Sequence, residues 1–295
     1  MEFKRIAVAL LLALGYQVST AQSNLLNADT PDQVGVKTEA QKKYDNDEPL
    51  EYGYIDDRDL LWSKMTWETI DLDERINFPL YYPVDTNNIG SDRRSLYHTL
   101  FNAVKSGKIN AYEDSYFTNK RSLKDLEASM IRVDTSDVGI EQYNAEGVVD
   151  AEYIQRREIS AYDISQYHIK GLWYIDSRHG EMRYRLLGIA PVAPDVNFID
   201  DDNPDMVELF WIWFPEARDV LHSSYAFNSE NTAKPITFDH ILNSRRFNGL
   251  VTKTDNVQGD RQVKDYVSDN AMMQLLESQR LKERVRNMEL DMWAY

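Results

Sequence analysis

The stretch DLLWSKMTWETIDLDERINFPLYYPVDTNNIGSDRRSLY, from Asp59 to Tyr97, is the one whose reading decides the fold. Placed at 100° per residue, Leu61, Trp62, Met65, Leu72 and Ile76 fall on one stripe, with Leu60, Trp67 and Ile70 on the opposite side. Lys64, Glu68, Asp71 and Arg75 form a polar strip between them, with Lys64/Glu68 and Asp71/Arg75 at i,i+4 spacing. The pattern predicts a helix with two apolar faces, covered on two sides and therefore inside a body. Phe78-Pro79-Leu80-Tyr81-Tyr82-Pro83 stops it, because proline fixes φ and pushes the preceding residue toward extended backbone.

Working outward, further helices are predicted. Ser91 is the expected N-cap of a second helix, with Leu96, Leu100 and Val104 on one face and Gly107 as the C′ residue. Ser122-Leu123-Lys124-Asp125 approximates a capping box for a third, with Leu126 and Met130 as its core contacts. Pro215 suits the first turn of a helix leading to His222. Thr237 caps one in which Phe238, Ile241 and Leu242 face inward, and a long helix begins at about Asp269.

From about Glu158 the period changes to two. Tyr167, Ile169, Trp173 and Ile175 alternate against His168, Lys170, Tyr174 and Asp176. Ser177-Arg178-His179-Gly180 makes a turn, and Met182, Tyr184 and Leu186 alternate on the return. This is a β-hairpin with one wet face. VELFWIWF, Val207 to Phe214, is apolar on both faces and reads as a central strand or one covered by a helix. The fold class is α+β: an antiparallel sheet, hairpin plus central strand, packed with several helices, carrying an extended N-terminal arm and a long C-terminal helix. The division expected is a signal peptide over 1–21, an extended polar arm over 22–51, one α+β domain over 52–268 and an amphipathic helix over 269–295.

The signal reading rests on Lys4 and Arg5, the apolar run Ile6 to Leu14, and Ser19-Thr20-Ala21 as a cleavage site. No other window approaches the ~18 apolar residues of a span, so no direct membrane insertion is expected. The chain of 295 residues has no cysteine, which excludes disulfides, thiol nucleophiles, zinc-thiolate sites and a lipid on an N-terminal Cys. A net charge of −16 disfavours nucleic acid and anionic membranes as partners and suits a basic protein surface.

Catalytic motifs are missing: there is no GxGxxG, P-loop, GxSxG or HExxH. His98, His168, His179, His222 and His240 show no i,i+3 or i,i+4 pair. The loop near Asp201, Asn203 and Asp205 resembles a calcium loop, but Met206 stands where Gly is needed and Ile212 where Glu is needed. Glu181 and Glu208 lie on candidate neighbouring strands and could pair as acid and base. Asp92-Arg93-Arg94 at a helix start could bind an anion, or the arginines could bridge to Asp56, Asp57 and Asp59. No catalytic residue, metal or cofactor is assigned. In the last helix Met272, Met273 and Leu276 cluster on one side, while Leu281, Val285, Met288 and Met292 lie nearly opposite. The stripe therefore changes sides near Arg280, and Leu281, Val285, Met288 and Met292 are the expected partner-binding residues, with a second contact inside the same chain as the other reading.

GYIDDRDLLWSKMTWETIDLDERINFPLYYP followed by DTNNIGSDRRSLYHTL resembles the gliding-motility family GldN, also called PorN. DSYFTNKRSLKDLE, DTSDVGIEQYN, YHIKGLWYID, RLLGIAPVAPDV and ELFWIWFPEAR extend the likeness from about Asn24 to Tyr295. The resemblance implies a non-catalytic periplasmic subunit of the type IX secretion and gliding machinery. It implies a ring complex with a GldK (PorK) lipoprotein beneath the outer membrane, self-association within that ring, and contact with the periplasmic part of GldM (PorM). The alternatives from other classes are an exported hydrolase acting on cell-wall glycan through an acidic pair, and a periplasmic ligand-binding protein.

Overall fold

The fold is described from a computed structural model, in which residues 39, 43, 48–85, 93–148, 150–199, 204–228, 236–268 and 270–293 are described. The signal segment, most of the arm, Ser91-Asp92 and the acidic loop around Asp201 lie outside them.

In chain order the strands are β1 (Leu60–Asp71), β2 (Ala111–Tyr112), β3 (Lys120–Arg121), β4 (Ile131–Thr135), β5 (Ile154–Glu158), β6 (Gln166–Asp176), β7 (Glu181–Pro194), β8 (Met206–Glu208), β9 (Trp211–Trp213), β10 (Tyr225–Ala226), β11 (Ile236–Thr237) and β12 (Leu250–Thr254). The α-helices are α1 (Phe78–Tyr81), α2 (Leu96–Lys105), α3 (Leu123–Met130), α4 (Asp137–Glu146), α5 (Phe214–His222), α6 (Phe238–Asn243), α7 (Val263–Tyr266) and α8 (Ala271–Trp293). The fold is α+β, as expected. An eight-stranded antiparallel sheet runs β12-β1-β6-β7-β9-β2-β3, with β8 added beside β7. The β4–β5 and β10–β11 pairs stand apart from it as two-stranded ribbons.

The largest correction concerns residues 60–71, which are a twelve-residue strand rather than a helix. Leu61 and Ile76, both assigned to the apolar stripe, are 65% and 56% exposed, so that stripe is no face at all. Thr66, Trp67, Thr69 and Ile70 are strand formers, and pairing with β12 on one side and β6 on the other outweighs a helical periodicity that was fortuitous. The supposed i,i+4 pairs point elsewhere: Lys64 meets Asp255 at 2.7 Å and Glu68 meets Arg245 at 2.7 Å. The expectation that this segment is inside the body holds, with Trp67 and Ile70 buried on opposite faces.

Local signals served better. Ser122 caps α3, accepting from the Asp125 amide, and Thr237 caps α6, accepting from the His240 amide. Pro215 lies in the first turn of α5. Gly107, at φ 71°, follows the Ser106 C-cap of α2. The N-cap of α2 is Ser95, four residues later than expected. Val207–Phe214 splits into β8 and β9 around buried Leu209 and Phe210, and β9 is central, between β7 and β2.

One face of the sheet carries Ile70, Tyr167, Ile169, Leu186, Ile189 and Ile212, packed against α2, α3, α5 and α6 in the main core. The hairpin face expected to be wet is not: Lys170, Tyr174 and Asp176 are buried. The segment 50–59 packs against both the main core and the hairpin. Arg218 donates to the Leu50 carbonyl, Arg185 to that of Gly53 and Arg178 to that of Tyr54. The Tyr52 ring lies 4.2 Å from the Arg218 guanidinium and 4.6 Å from that of Arg185.

Candidate functional site: an aromatic and lysine row on one sheet face

Strand register builds this site. Trp67 of β1 stands opposite Lys253 of β12 and opposite Lys170 of β6. Lys170 faces Gly188 of β7, which faces Trp213 of β9. Directly paired residues point to the same face, so one row crosses five strands. The Lys253 and Lys170 ammoniums lie 4.3 and 5.0 Å from the Trp67 ring centroid.

The loop between β2 and β3 lies over the row. A Cβ on Gly188 would sit 2.4 Å from Phe117 Cζ, so glycine leaves the space this ring occupies. Phe117, at φ 60°, meets Trp213 edge-on with centroids 4.9 Å apart. The Tyr116 ring takes Lys170 and Lys253 at 4.8 and 5.0 Å. Its hydroxyl donates to Asp260 and accepts from Lys253 Nζ, each at 2.9 Å, while Lys170 Nζ donates to the Ser115 carbonyl at 2.8 Å. Cation–π contacts contribute ~0.5–2 kcal/mol each, depending on desolvation. The lysines thus fasten the loop to the sheet. Burial, together with the neighbouring Lys253 charge, holds the Lys170 ammonium below its ordinary pKa.

Beside the row, a cleft of ≈ 330 Å³ opens between Trp67, His168, Glu208 and Trp211 on one side and Lys264 and Gln274 of the C-terminal helices on the other. His168 Nδ1 lies 2.6 Å from Glu208 Oε1, and Trp211 Nε1 donates to Glu208 Oε2 at 2.6 Å. Burial pushes the Glu208 carboxyl up, but the hydrogen bonds from His168 and Trp211 outweigh it and hold the pKa below the usual range. Both carboxylate oxygens are therefore occupied by fixed donors. Glu181, the supposed acid–base mate of Glu208, pairs with Asp176 at the hairpin end, whereas Glu208 faces Val192. Eleven positions along β7 separate the two, roughly 35 Å at ~3.3 Å per residue. This corrects the acidic-pair reading. Among the described residues no group of three His, Cys, Asp or Glu could hold a metal ion.

The arginine expectation is also revised. Arg178, on the hairpin turn, reaches Asp59 at 3.3 Å and Asp176 at 2.9 Å, and Arg58 reaches Asp56 at 3.2 Å. Arg93 lies over the Phe227 ring at 5.3 Å. Hydrogen bonds from Arg178 hold the Asp176 carboxyl well below the carboxylate range.

Leu281, Val285, Met288 and Met292 all lie on α8. Leu281 packs on Val251 of β12 and Val263 of α7, and with Val285 is buried at 6% and 8% exposure; Met288 and Met292 are half-buried. The inward stripe does not change sides. It continues toward the N-terminus through half-buried Gln274, which donates to the Val267 carbonyl, and buried Ser278. Two polar residues in an apolar stripe disguised it. The side chains left outward are Met272, Met273, Leu275 and Leu276, at 64, 51, 50 and 56% exposure.

Sequence reasoning missed the lysine–tryptophan row, since no local pattern links residues 67, 170 and 253. Among the described residues no helix is long and apolar enough to cross a membrane. A family model described as "Gliding motility associated protein GldN" matches residues 55–294. No curated protein matches the chain.

Proposed function

The chain belongs to the gliding motility associated protein GldN family, and from that premise we propose that it is a non-catalytic structural subunit of the type IX secretion and gliding machinery. In this reading it is exported to the periplasm by the 1–21 signal segment. It assembles into a ring with a GldK-like lipoprotein, which holds it beneath the outer membrane, and it contacts the periplasmic part of a GldM-like protein.

The observation that carries the reading is the contrast between partnered chemistry and unpartnered apolar surface. Glu208, Lys170, Lys253 and Asp176 are each engaged by fixed neighbours in the same chain. Large apolar side chains of α4 and α8, among them Val138, Tyr143, Met272 and Leu276, are more than half exposed. A reactive site needs groups left available to a substrate; a docking subunit needs exposed apolar area.

The test is affinity capture of the tagged full chain from envelope extract, with mass spectrometry of what co-purifies. A lipoprotein and a motor-linked periplasmic protein should be recovered in stoichiometric amounts. Recovery of the chain alone, at low and at physiological salt, would sink the proposal.

A further inference from the structure

The cleft between the sheet and the C-terminal helices has a chemistry that assembly does not use. Its volume of ≈ 330 Å³ lies at the small end of the range for ligand sites. Thr69 of β1 and His168 of β6 stand opposite each other on the face that carries Trp67. Around them β12 contributes Leu250 and Lys253, the loop after β2 contributes Asp114, and α7 contributes Val263 and Lys264.

The acceptors lining this cleft are engaged, whereas donors are left over. His168 and the Trp211 indole take the two oxygens of Glu208, and Asp114 accepts from the Tyr116 amide. The Glu68 carboxylate is taken by Arg245. Against these stand three donors. Trp67 is 7% exposed, and its indole N–H meets no acceptor among the described residues. A buried N–H in that condition is rare and destabilising. Lys264 is exposed and has no partner among the described residues. Lys253 carries three protons and gives one to the Tyr116 hydroxyl, with its ammonium 4.3 Å from the Trp67 ring centroid. Cationic and donor groups thus gather about one indole, in a cleft also lined by the apolar side chains of Trp211, Leu250 and Val263.

We propose that this cleft binds a small organic carboxylate with an apolar body. Lys264 and Lys253 hold the carboxylate, the Trp67 N–H is the third donor, and the body lies against Trp211, Leu250 and Val263. A carboxylate suits the donor set better than a phosphoryl group does. Among the described residues no arginine lines the cleft to offer a fork, and apolar walls reward a ligand with an apolar part. With Glu208 fixed by two donors, the site binds and does not catalyse. The ligand bridges α7 to β1 and β12, so occupancy ties the C-terminal helices to the sheet. Two sources present this chemistry, a free acid and the carboxyl end of a polypeptide. The inference is independent of the assembly reading.

The test uses the purified full chain, so its failure leaves capture of other components untouched. The probes are N-acetylphenylalanine, its carboxamide, and a pentapeptide that ends in phenylalanine with a free carboxyl terminus. Calorimetry reads affinity, and NMR reads the indole N–H resonances, with that of Trp67 assigned from Trp67→Phe. N-acetylphenylalanine should bind with a Kd of ~0.1–1 mM, the range for so small a ligand, and should shift the Trp67 indole resonance. The carboxamide should bind at least about tenfold more weakly, because it presents no charge to the lysines. Lys264→Glu, at an exposed side chain, should weaken the acid by at least about tenfold, and Lys264→Arg should restore it to within about threefold. Lys120→Glu makes the same charge change on β3, the opposite edge of the sheet, and should leave binding as it was. A pentapeptide that binds more tightly than the single residue supports the proposal with a polypeptide end as the source; one that binds equally or more weakly supports it with a free acid. Neither carboxylate binding at ~10 mM, well above the expected Kd, overturns the proposal. So does equal affinity for acid and carboxamide, a Trp67 indole resonance that does not move, or an equal loss in Lys120→Glu and Lys264→Glu.

Discussion

The two faces of the central sheet solve the same packing problem by different means. On the helix-covered face Ile70, Tyr167, Ile169, Ile189 and Ile212 are each at most 1% exposed, and four helices supply the matching apolar surface. On the other face Trp67 and Trp211 are buried with Ala190, and cover comes from one loop and two lysines. Each face also carries a glycine under an aromatic ring. A Cβ on Gly171 would lie 2.1 Å from the Tyr184 hydroxyl, and one on Gly188 lies 2.4 Å from Phe117. Tyr184 is on a strand and meets the Arg245 guanidinium at 4.1 Å, whereas Phe117 is on a loop. One face is fixed largely by apolar area; the other depends on which residue stands beside which.

The largest expected effects come from truncating each face in turn. Phe214→Ala, at a side chain 0% exposed in the main core, should cost ~3–5 kcal/mol in denaturant unfolding, as should Trp67→Ala. The two should differ in the loop over 113–119. Trp67→Ala removes the ring that Tyr116 and both lysines share, so amide exchange in that loop should rise well beyond the global loss of stability. Phe214→Ala should raise it only in proportion. Equal behaviour of the loop in both variants would break the comparison.

Smaller effects should follow from filling the two glycine gaps. Overpacking typically costs ~1–3 kcal/mol. Gly171→Ala should fall at the upper end, because Tyr184 is wedged between Trp173 and Arg245. Gly188→Ala should fall at the lower end, because Phe117 sits on a loop, which can lift the ring clear of the added Cβ more readily than a strand can. Thermal unfolding of both variants decides it, and a reversed order would mean the loop is the more rigid of the two covers.

The same contrast accounts for what could be read from the sequence. The helix-side elements announced themselves through local chemistry: Ser122 and Thr237 as caps, Pro215 in a first turn, Leu126, Met130, Phe238, Ile241 and Leu242 as inward residues. Strand β1 did not, because its buried residues Thr66, Trp67, Glu68 and Ile70 lie on both faces and mix polar with apolar, so they carry no clean period of two, and a chance 3.6 spacing filled the gap. The row of Lys253, Trp67 and Lys170 was illegible for a different reason. It joins three strands far apart in sequence, and a register shift of one residue would send every side chain to the other face. In α8 the inward stripe was hidden by Gln274 and Ser278, so the first half, with Met272, Met273 and Leu276, looked packed on that side, and those side chains are the exposed ones.

The smallest predicted effect is the most selective probe of the polar face. Glu208 accepts from Trp211 and meets His168, and its folded pKa lies below the unperturbed glutamate value of about 4.3. A depressed carboxylate contributes stability that is fully present above the unfolded pKa and is lost as pH falls through the folded one. Glu208→Gln should therefore be less stable than the unaltered chain at pH 6–7, with the gap closing as pH falls through and below the unperturbed value of about 4.3. The gap should stay below ~1 kcal/mol, because the Glu208 and His168 side chains are 40% and 31% exposed and solvent screens them. Glutamine can still accept from the Trp211 indole through its carbonyl, but it presents no charge to His168. Phe214→Ala, on the apolar face, touches no titrating group in this way, and its deficit should be flat over the same range. Chemical denaturation at several pH values measures both. A Glu208→Gln deficit as flat as that of Phe214→Ala would show that the carboxylate's charge adds nothing to this face and that its shape alone fills the site.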